Sequence, residues 1–131
     1  MSYALFLDDE RFPGDVNWIK LPPYDWVIVR TYDEFVKIIT EQGVPFVVSF
    51  DHDLGDTAYQ EFFRANNSDK IVKYENIAEK TGFHCAKWLA NYCIDNGYQI
   101  QLYYVHTLNG IGAANIVSVL ESARKVINGT T

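Results

Sequence analysis

Val47-Val48-Ser49-Phe50-Asp51-His52-Asp53-Leu54-Gly55 is the stretch that decides the fold, because a short apolar run passes directly into acid and then into glycine. Such a run reads as a fully buried strand of a parallel sheet whose carboxyl end opens into a loop. The amino terminus repeats the pattern, with Leu5-Phe6-Leu7 followed by Asp8-Asp9-Glu10-Arg11. Both strands therefore deliver carboxylates to one sheet edge, the edge at which open α/β sheets bind ligands. Asp8, Asp9, Asp51 and Asp53 gathered there repel one another unless a cation sits among them or protons are retained.

The remaining elements alternate around these two strands. Strand one is expected over 3–7. Pro13, Gly14, Pro22 and Pro23 leave room in the following connection for at most a short helical piece near 16–19. Trp26-Val27-Ile28-Val29 reads as strand two. Thr31 is an N-cap with Glu34 completing a capping box, and Phe35, Ile38 and Ile39 recur at helical spacing before Gly43. After strand three, over 46–50, a helix runs from Thr81-Gly82 to Asn96-Gly97 with Phe83, Ala86, Leu89, Ala90 and Cys93 on one stripe. Strand four is expected over 99–105, and a last helix over 112–127 turns Ile116, Leu120, Ala123 and Ile127 inward before Gly129. This alternation predicts βαβ units: an α/β, flavodoxin-like three-layer sandwich on a four-stranded parallel sheet of order 2-1-3-4. The order reverses between strands one and three, the two that end in acid.

With 131 residues the chain makes one domain, 1–131, and 48% hydrophobic residues exclude disorder as its default. Eleven basic against 17 acidic residues, a net charge of −6, argue against general binding along nucleic-acid backbones. No apolar stretch approaches membrane-spanning length and Met1-Ser2-Tyr3 lacks a basic leader region, so no membrane partner is expected and the expected compartment is the cytoplasm. Cys85 and Cys93 fall eight positions apart on one helix, roughly 12 Å along its axis and too far to bridge, so both read as reduced core residues.

Asp8, Asp9, Asp51 and Asp53 are hard oxygen donors of the kind that Mg²⁺ or Mn²⁺ prefers, and Mg²⁺ commonly bridges to a phosphate. His52, between two aspartates, is expected to be a charged donor or a mixed ligand. His106 ends strand four, so with Thr107 and Asn109 it reaches the acidic crevice if strands three and four are neighbours. Gly110 and Gly112 would let helix amides approach an anion, with Asn115 one turn further pointing back toward it. Glu10 is expected to pair with Arg11, and His84 to be structural. The long polar segment 56–80 reads as an insertion: either a lid or protein-contact loop, or a surface helix whose Tyr59, Phe62 and Phe63 pack down.

Taken together, Leu5 to Pro13, Ser49 to Gly55, Thr81-Gly82 with Ala86 to Leu89, and His106-Thr107-Leu108-Asn109 with Gly112, Asn115 and Ile116 resemble the cyclic-phosphate-processing receiver-like domains of bacteria and their phages. The resemblance implies a shortened receiver fold. It implies action on a phosphorylated small molecule or an RNA-end cyclic phosphate, in RNA repair or phage-host nucleotide signalling, in a bacterial cell. It carries Asp8, Asp9, Asp51, His52, Asp53, His106 and Asn109 as the active-site set; Thr107 and Gly110 depart from the serine and proline usual there. Three functions compete. The first is a metal-dependent phosphoesterase with Asp51, His52 and His106 as catalytic groups, Mg²⁺ or Mn²⁺ on the four aspartates, and Thr107, Asn109, Gly112 and Asn115 holding the substrate. The second is a receiver phosphorylated on Asp51, against which stands the absence of a fifth strand pattern before Thr131. The third is a binder of a cyclic nucleotide or a protein, with Tyr59, Phe62 and Phe63 contributing contact area.

Overall fold

In the computed structural model, which describes residues 2–129, the strands are β1 (Ala4–Leu7), β2 (Trp26–Val29), β3 (Val47–Phe50) and β4 (Leu102–Val105). They form one parallel sheet in the order β2-β1-β3-β4, as expected. Four α-helices accompany them among the described residues: α1 (Tyr32–Gln42), α2 (Asp56–Asn66), α3 (Gly82–Asn96) and α4 (Gly110–Ile127). Met1, Thr130 and Thr131, which the single-domain expectation includes, lie outside the described residues.

Strand alternation sends Leu5, Leu7, Val48 and Phe50 to one face, where they join Phe35 and Ile39 of α1, Cys85 and Leu89 of α3, and Ile116 and Leu120 of α4 in one buried cluster. Both cysteines are buried and free. The opposite face carries Ala4, Phe6, Val47 and Ser49, and it is covered differently. Phe6 meets Trp26 edge-on at 6.3 Å, and Trp18 reaches across to the backbone of His106. The third layer is thus the proline-rich connection between β1 and β2 rather than a helix. Its helical piece is a 3-10 turn at Pro13–Asp15, three residues before the expected position, because Pro13 fits a first helical turn and residues up to Pro23 do not continue it.

The helix ends follow local chemistry. Thr31 accepts from the Glu34 amide at 3.1 Å, but the Glu34 carboxylate takes the amide of Arg30 instead of Thr31, so the expected capping box is half formed. Asn109 caps α4 through the Gly112 amide at 2.9 Å, which starts that helix two residues before the expected Gly112. His84, read as structural, accepts the Thr81 amide at 2.9 Å and closes the first turn of α3.

Segment 56–80 is a helix followed by a strap. Ala58, Glu61 and Ala65 form the buried side of α2, not the aromatic stripe. Glu61 takes Arg64 through two bonds of 2.7 Å, the Lys73 amide at 2.8 Å and the Asn76 side chain at 2.8 Å. These bonds hold the carboxyl well below its usual range, the Arg64 guanidinium contributing most.

Candidate functional site

The register aligns Leu7 with Phe50 and Phe50 with Val105, so the next residue of each strand, Asp8, Asp51 and His106, forms a level row across β1, β3 and β4. The ladder continues through this row, with the Asp51 amide on Leu7 and the His106 amide on Phe50, each at 2.9 Å. Alternation puts all three on the Phe6 and Ser49 face. One ligand atom from each lies within 4.8 Å of the other two.

His106 is fully buried and held on every side. Its ring stacks on Phe6 at 4.5 Å with 4° between planes, Nδ1 lies 2.7 Å from Ser49 Oγ, and Nε2 lies 3.0 Å from Asp8 Oδ2. The Trp18 indole donates to its carbonyl at 2.7 Å. Asp8 also accepts the amides of Glu10 and Arg11 at 2.9 and 2.8 Å. Burial pushes the Asp8 carboxyl up, but His106 and these two amides outweigh it and hold the carboxyl below its usual range. Arg11, expected to pair with Glu10, lies 3.5 Å from Asp8 instead, because Glu10 turns to solvent.

Asp51 is the opposite case. Burial, reinforced by the charge of Asp8, pushes its carboxyl up to about 8, although the His52 amide donates to its Oδ1. Its Oδ2 is buried without a hydrogen-bond partner, and so is Oδ1 of Asp9. Burial and then the neighbouring Asp8 and Glu10 raise Asp9 to about 6. The orphaned Asp51 oxygen, clustered with an ionised Asp8 and with the His106 imidazole beside them, offers the hard carboxylate donors that Mg²⁺ or Mn²⁺ accepts. The residues present therefore fit such an ion.

Asp53 and His52 belong to a second, adjoining network. His52 Nδ1 lies 2.7 Å from Asp53 Oδ1 and its Nε2 lies 2.8 Å from the Tyr74 hydroxyl, so both ring nitrogens are engaged. Asn109 donates to Asp53 at 3.2 Å, and Asn115 donates to the Tyr74 hydroxyl at 3.1 Å. Of the four expected metal aspartates, Asp8 and Asp51 share the row, Asp9 follows Asp8 in the chain with a buried, partnerless oxygen outside the clustered ligand atoms, and Asp53 is turned to His52 and Asn109. Gly112 does not offer its amide to an anion, since Asn109 already takes it; a Cβ there would meet His52 Cγ at 2.4 Å. Thr107 keeps the expected place on the crevice, lining the cleft with Asp51 while its hydroxyl accepts the Asn109 amide.

A cleft of about 150 Å³ reaches this row at Asp51 and is lined by Tyr59, Phe62 and Phe63 of α2 together with Thr107, Leu108 and Asn109. Asp51, Asp53 and Arg11 line it too. A larger hollow of about 620 Å³ lies between β2 and α1, but none of the clustered titratable groups lines it, so it is not the candidate site. Sequence reading missed Arg11 as a cleft residue, and it missed Ser49 and Tyr74. Ser49 carried a signal, as the one hydroxyl in an otherwise apolar strand. Tyr74 carried none, lying 22 positions from the histidine it meets.

Gly82 fixes the base of the crevice. Its amide donates to the His52 carbonyl at 2.8 Å, and a Cβ there would lie 1.7 Å from the Asp51 carbonyl oxygen. No rotamer relieves a clash with backbone, so Gly82→Ala is expected to cost about 3 kcal/mol or more. Denaturant titration checks this; a variant within about 0.5 kcal/mol of wild type would mean that α3 does not press on the Asp51 backbone.

A family model described as the cyclic-phosphate processing receiver domain matches residues 3–122. No curated protein and no solved structure matches the chain.

Proposed function

The chain belongs to the cyclic-phosphate processing receiver family, and from that premise we propose that its crevice binds a cyclic phosphate ester and opens it by metal-dependent hydrolysis. The observation that carries the reading is the buried, partnerless Oδ2 of Asp51, in a row with Asp8 and His106 beneath a cleft that also holds Arg11. Asp8 and Asp51 would hold Mg²⁺ or Mn²⁺, with the neighbouring Asp9 carboxyl as a further oxygen donor, which leaves His106 Nε2 free for proton transfer. When bound, such an ion polarises a phosphoryl oxygen and lowers the pKa of a coordinated water.

The chain's own groups supply the rest. The Arg11 guanidinium neutralises a non-bridging phosphate oxygen, which a planar fork of donors suits. Thr107 and Arg11 together orient the ester so that one ring oxygen leaves. Water adds its oxygen to phosphorus, one phosphorus–oxygen ring bond breaks, and the product is an open monoester. His106 is the group placed to take the water proton or return a proton to the leaving oxygen. The His52–Asp53–Asn109 network carries no free nitrogen toward the cleft, so His52 acts as a positioning residue.

The test is incubation with 2′,3′-cyclic, 3′,5′-cyclic and dinucleotide phosphates plus Mg²⁺ or Mn²⁺, followed by ³¹P NMR. A cyclic resonance replaced by a monoester supports hydrolysis. A broadened but unchanged resonance overturns it in favour of a binding module, and an acyl phosphate on Asp51 from a small phosphodonor overturns it in favour of a receiver.

A further inference from the structure

We propose that α2 is a fixed aromatic wall against which a nucleobase stacks, with Phe63 as the principal contact, so that the ester taken by this crevice is a nucleoside phosphate. This rests on the reading of the crevice as a phosphate-ester site and names the class of ester.

Helical spacing divides α2 into two faces. Ala58, Glu61 and Ala65 are buried, while Tyr59, Phe62 and Phe63, at i, i+3 and i+4, line the cleft shared with Asp51 and Arg11. Phe63 is 61% exposed, a large apolar ring left in water at the rim of a charged cleft. The Phe62 ring lies 5.6 Å from it, tilted by 42°. Leu108, also lining the cleft, is 59% exposed.

The size of the cleft says where a base would go. At about 150 Å³ it is smaller than the roughly 300–1,000 Å³ that encloses a whole small ligand. A ligand with its phosphate between Asp51 and Arg11 must project the remainder past the rim, where Phe63 offers an open π-face. Stacking on such a face tolerates every base, and a cationic Arg11 and a bound divalent ion hold the anionic end.

The wall is preorganised. Glu61 gathers Arg64, the Lys73 amide and Asn76, and Arg64 also reaches the Ile71 carbonyl at 2.8 Å. Glu79 takes the Ala58 amide at 3.0 Å and the Thr57 hydroxyl, which fastens the first turn of α2 to the end of the strap. A platform held in this way loses little freedom when a ring settles on it.

The experiment compares two probes that share the cyclic phosphate, adenosine 2′,3′-cyclic phosphate and methyl riboside 2′,3′-cyclic phosphate, by calorimetry with Mn²⁺, or by KM where turnover occurs. Wild type is expected to favour the adenosine ester by roughly 5- to 150-fold, the range that base–aromatic stacking supplies. Phe63→Ala should remove the preference, leave the methyl riboside ester unchanged and keep the melting temperature, since the ring is exposed. Phe63→Leu should lose it likewise and Phe63→Trp should keep it. Equal affinity for both probes in wild type, or a preference that survives in Phe63→Ala and Phe63→Leu, overturns the base-stacking wall and points to a protein contact on α2, while the cyclic-phosphate reading stands. Failure of wild type to bind or turn over any member of the ³¹P panel overturns both.

Discussion

Asp51→Asn, freed of divalent cations, is expected to melt above the wild type at pH 8 and to lose the stabilisation that Mg²⁺ or Mn²⁺ confers on the wild type. The two effects have opposite signs and one cause. Burial and the charge of Asp8 push the Asp51 carboxyl up to about 8 in the folded protein, against an ordinary value of about 3.9 in an unfolded chain. Between those values the folded state keeps a proton that the unfolded state has released, so stability is fully present at low pH and falls as pH rises through that window. At 1.36 kcal/mol per unit over these roughly four units the fall is on the order of 5 kcal/mol. Asp9, raised to about 6 chiefly by burial, adds to it with the same sign.

An amide at position 51 has no proton to lose, so the variant escapes most of this fall. A cation removes the same penalty in the wild type by pairing with the ionised carboxylates. At a hundredfold excess over its Kd it stabilises by about 2.7 kcal/mol, or roughly 10 °C in a chain of this size. Melting curves at pH 5, 6.5 and 8, with and without metal, read both effects. Equal metal-induced shifts in wild type and Asp51→Asn would remove the metal from the site, and a metal-free wild type equally stable at pH 5 and pH 8 would remove the charge crowding.

The row that produces this behaviour was legible in the sequence because it lies where local rules still hold. Leu5-Phe6-Leu7 and Val47-Val48-Ser49-Phe50 are buried strands, and one residue beyond each the alternation still assigns a face; with the order 2-1-3-4 this placed Asp8, Asp51 and His106 in one crevice. Three residues beyond, it no longer does. Asp53 turned to His52 and Asn109 because the chain had left the ladder, and its partners were set by the Asn109 cap of α4 and by Gly82 packing against the Asp51 carbonyl.

The faces of α2 were illegible for a different reason. The sequence left Tyr59, Phe62 and Phe63 open between a contact surface and a stripe that packs down. In the structure Ala58, Glu61 and Ala65 are the buried side and Phe63 stays exposed, because Glu61 meets donors 12 and 15 positions later, at Lys73 and Asn76, a relation no window of helical length contains. The 3-10 turn at Pro13–Asp15 was missed by a few residues, since the prolines said where a helix could not continue and only weakly where a turn would form. The connection nonetheless covers the face over which Phe6 and Trp18 hold His106.

His106→Asn is expected to lower kcat by about 10²- to 10⁴-fold, the contribution usual for positioned proton transfer, with little change in ligand affinity. The ring has two engaged nitrogens and one flexible partner. With Nε2–H donated to the ionised Asp8, Nδ1 accepts from the Ser49 hydroxyl; with Nδ1–H donated to Ser49, the Nε2 lone pair is turned toward Asp8 and Asp51. A serine hydroxyl both donates and accepts, so His106 can exchange a proton at Nε2 without losing its partner at Nδ1. Ser49→Ala should therefore leave the fold intact and lower activity by roughly 10- to 100-fold, with a displaced pH profile that a purely structural serine would not cause. Asparagine at 106 keeps a polar group beside Asp8 but offers no basic nitrogen, which separates chemistry from packing provided that its melting temperature stays close to wild type. A loss repaired by raising Mn²⁺ would assign His106 to holding the ion, and a loss that persists at saturating metal would assign it to the proton. Turnover within about threefold of wild type would make His106 structural and return the catalytic role to His52, whose engaged nitrogens would then have to release either Asp53 or Tyr74.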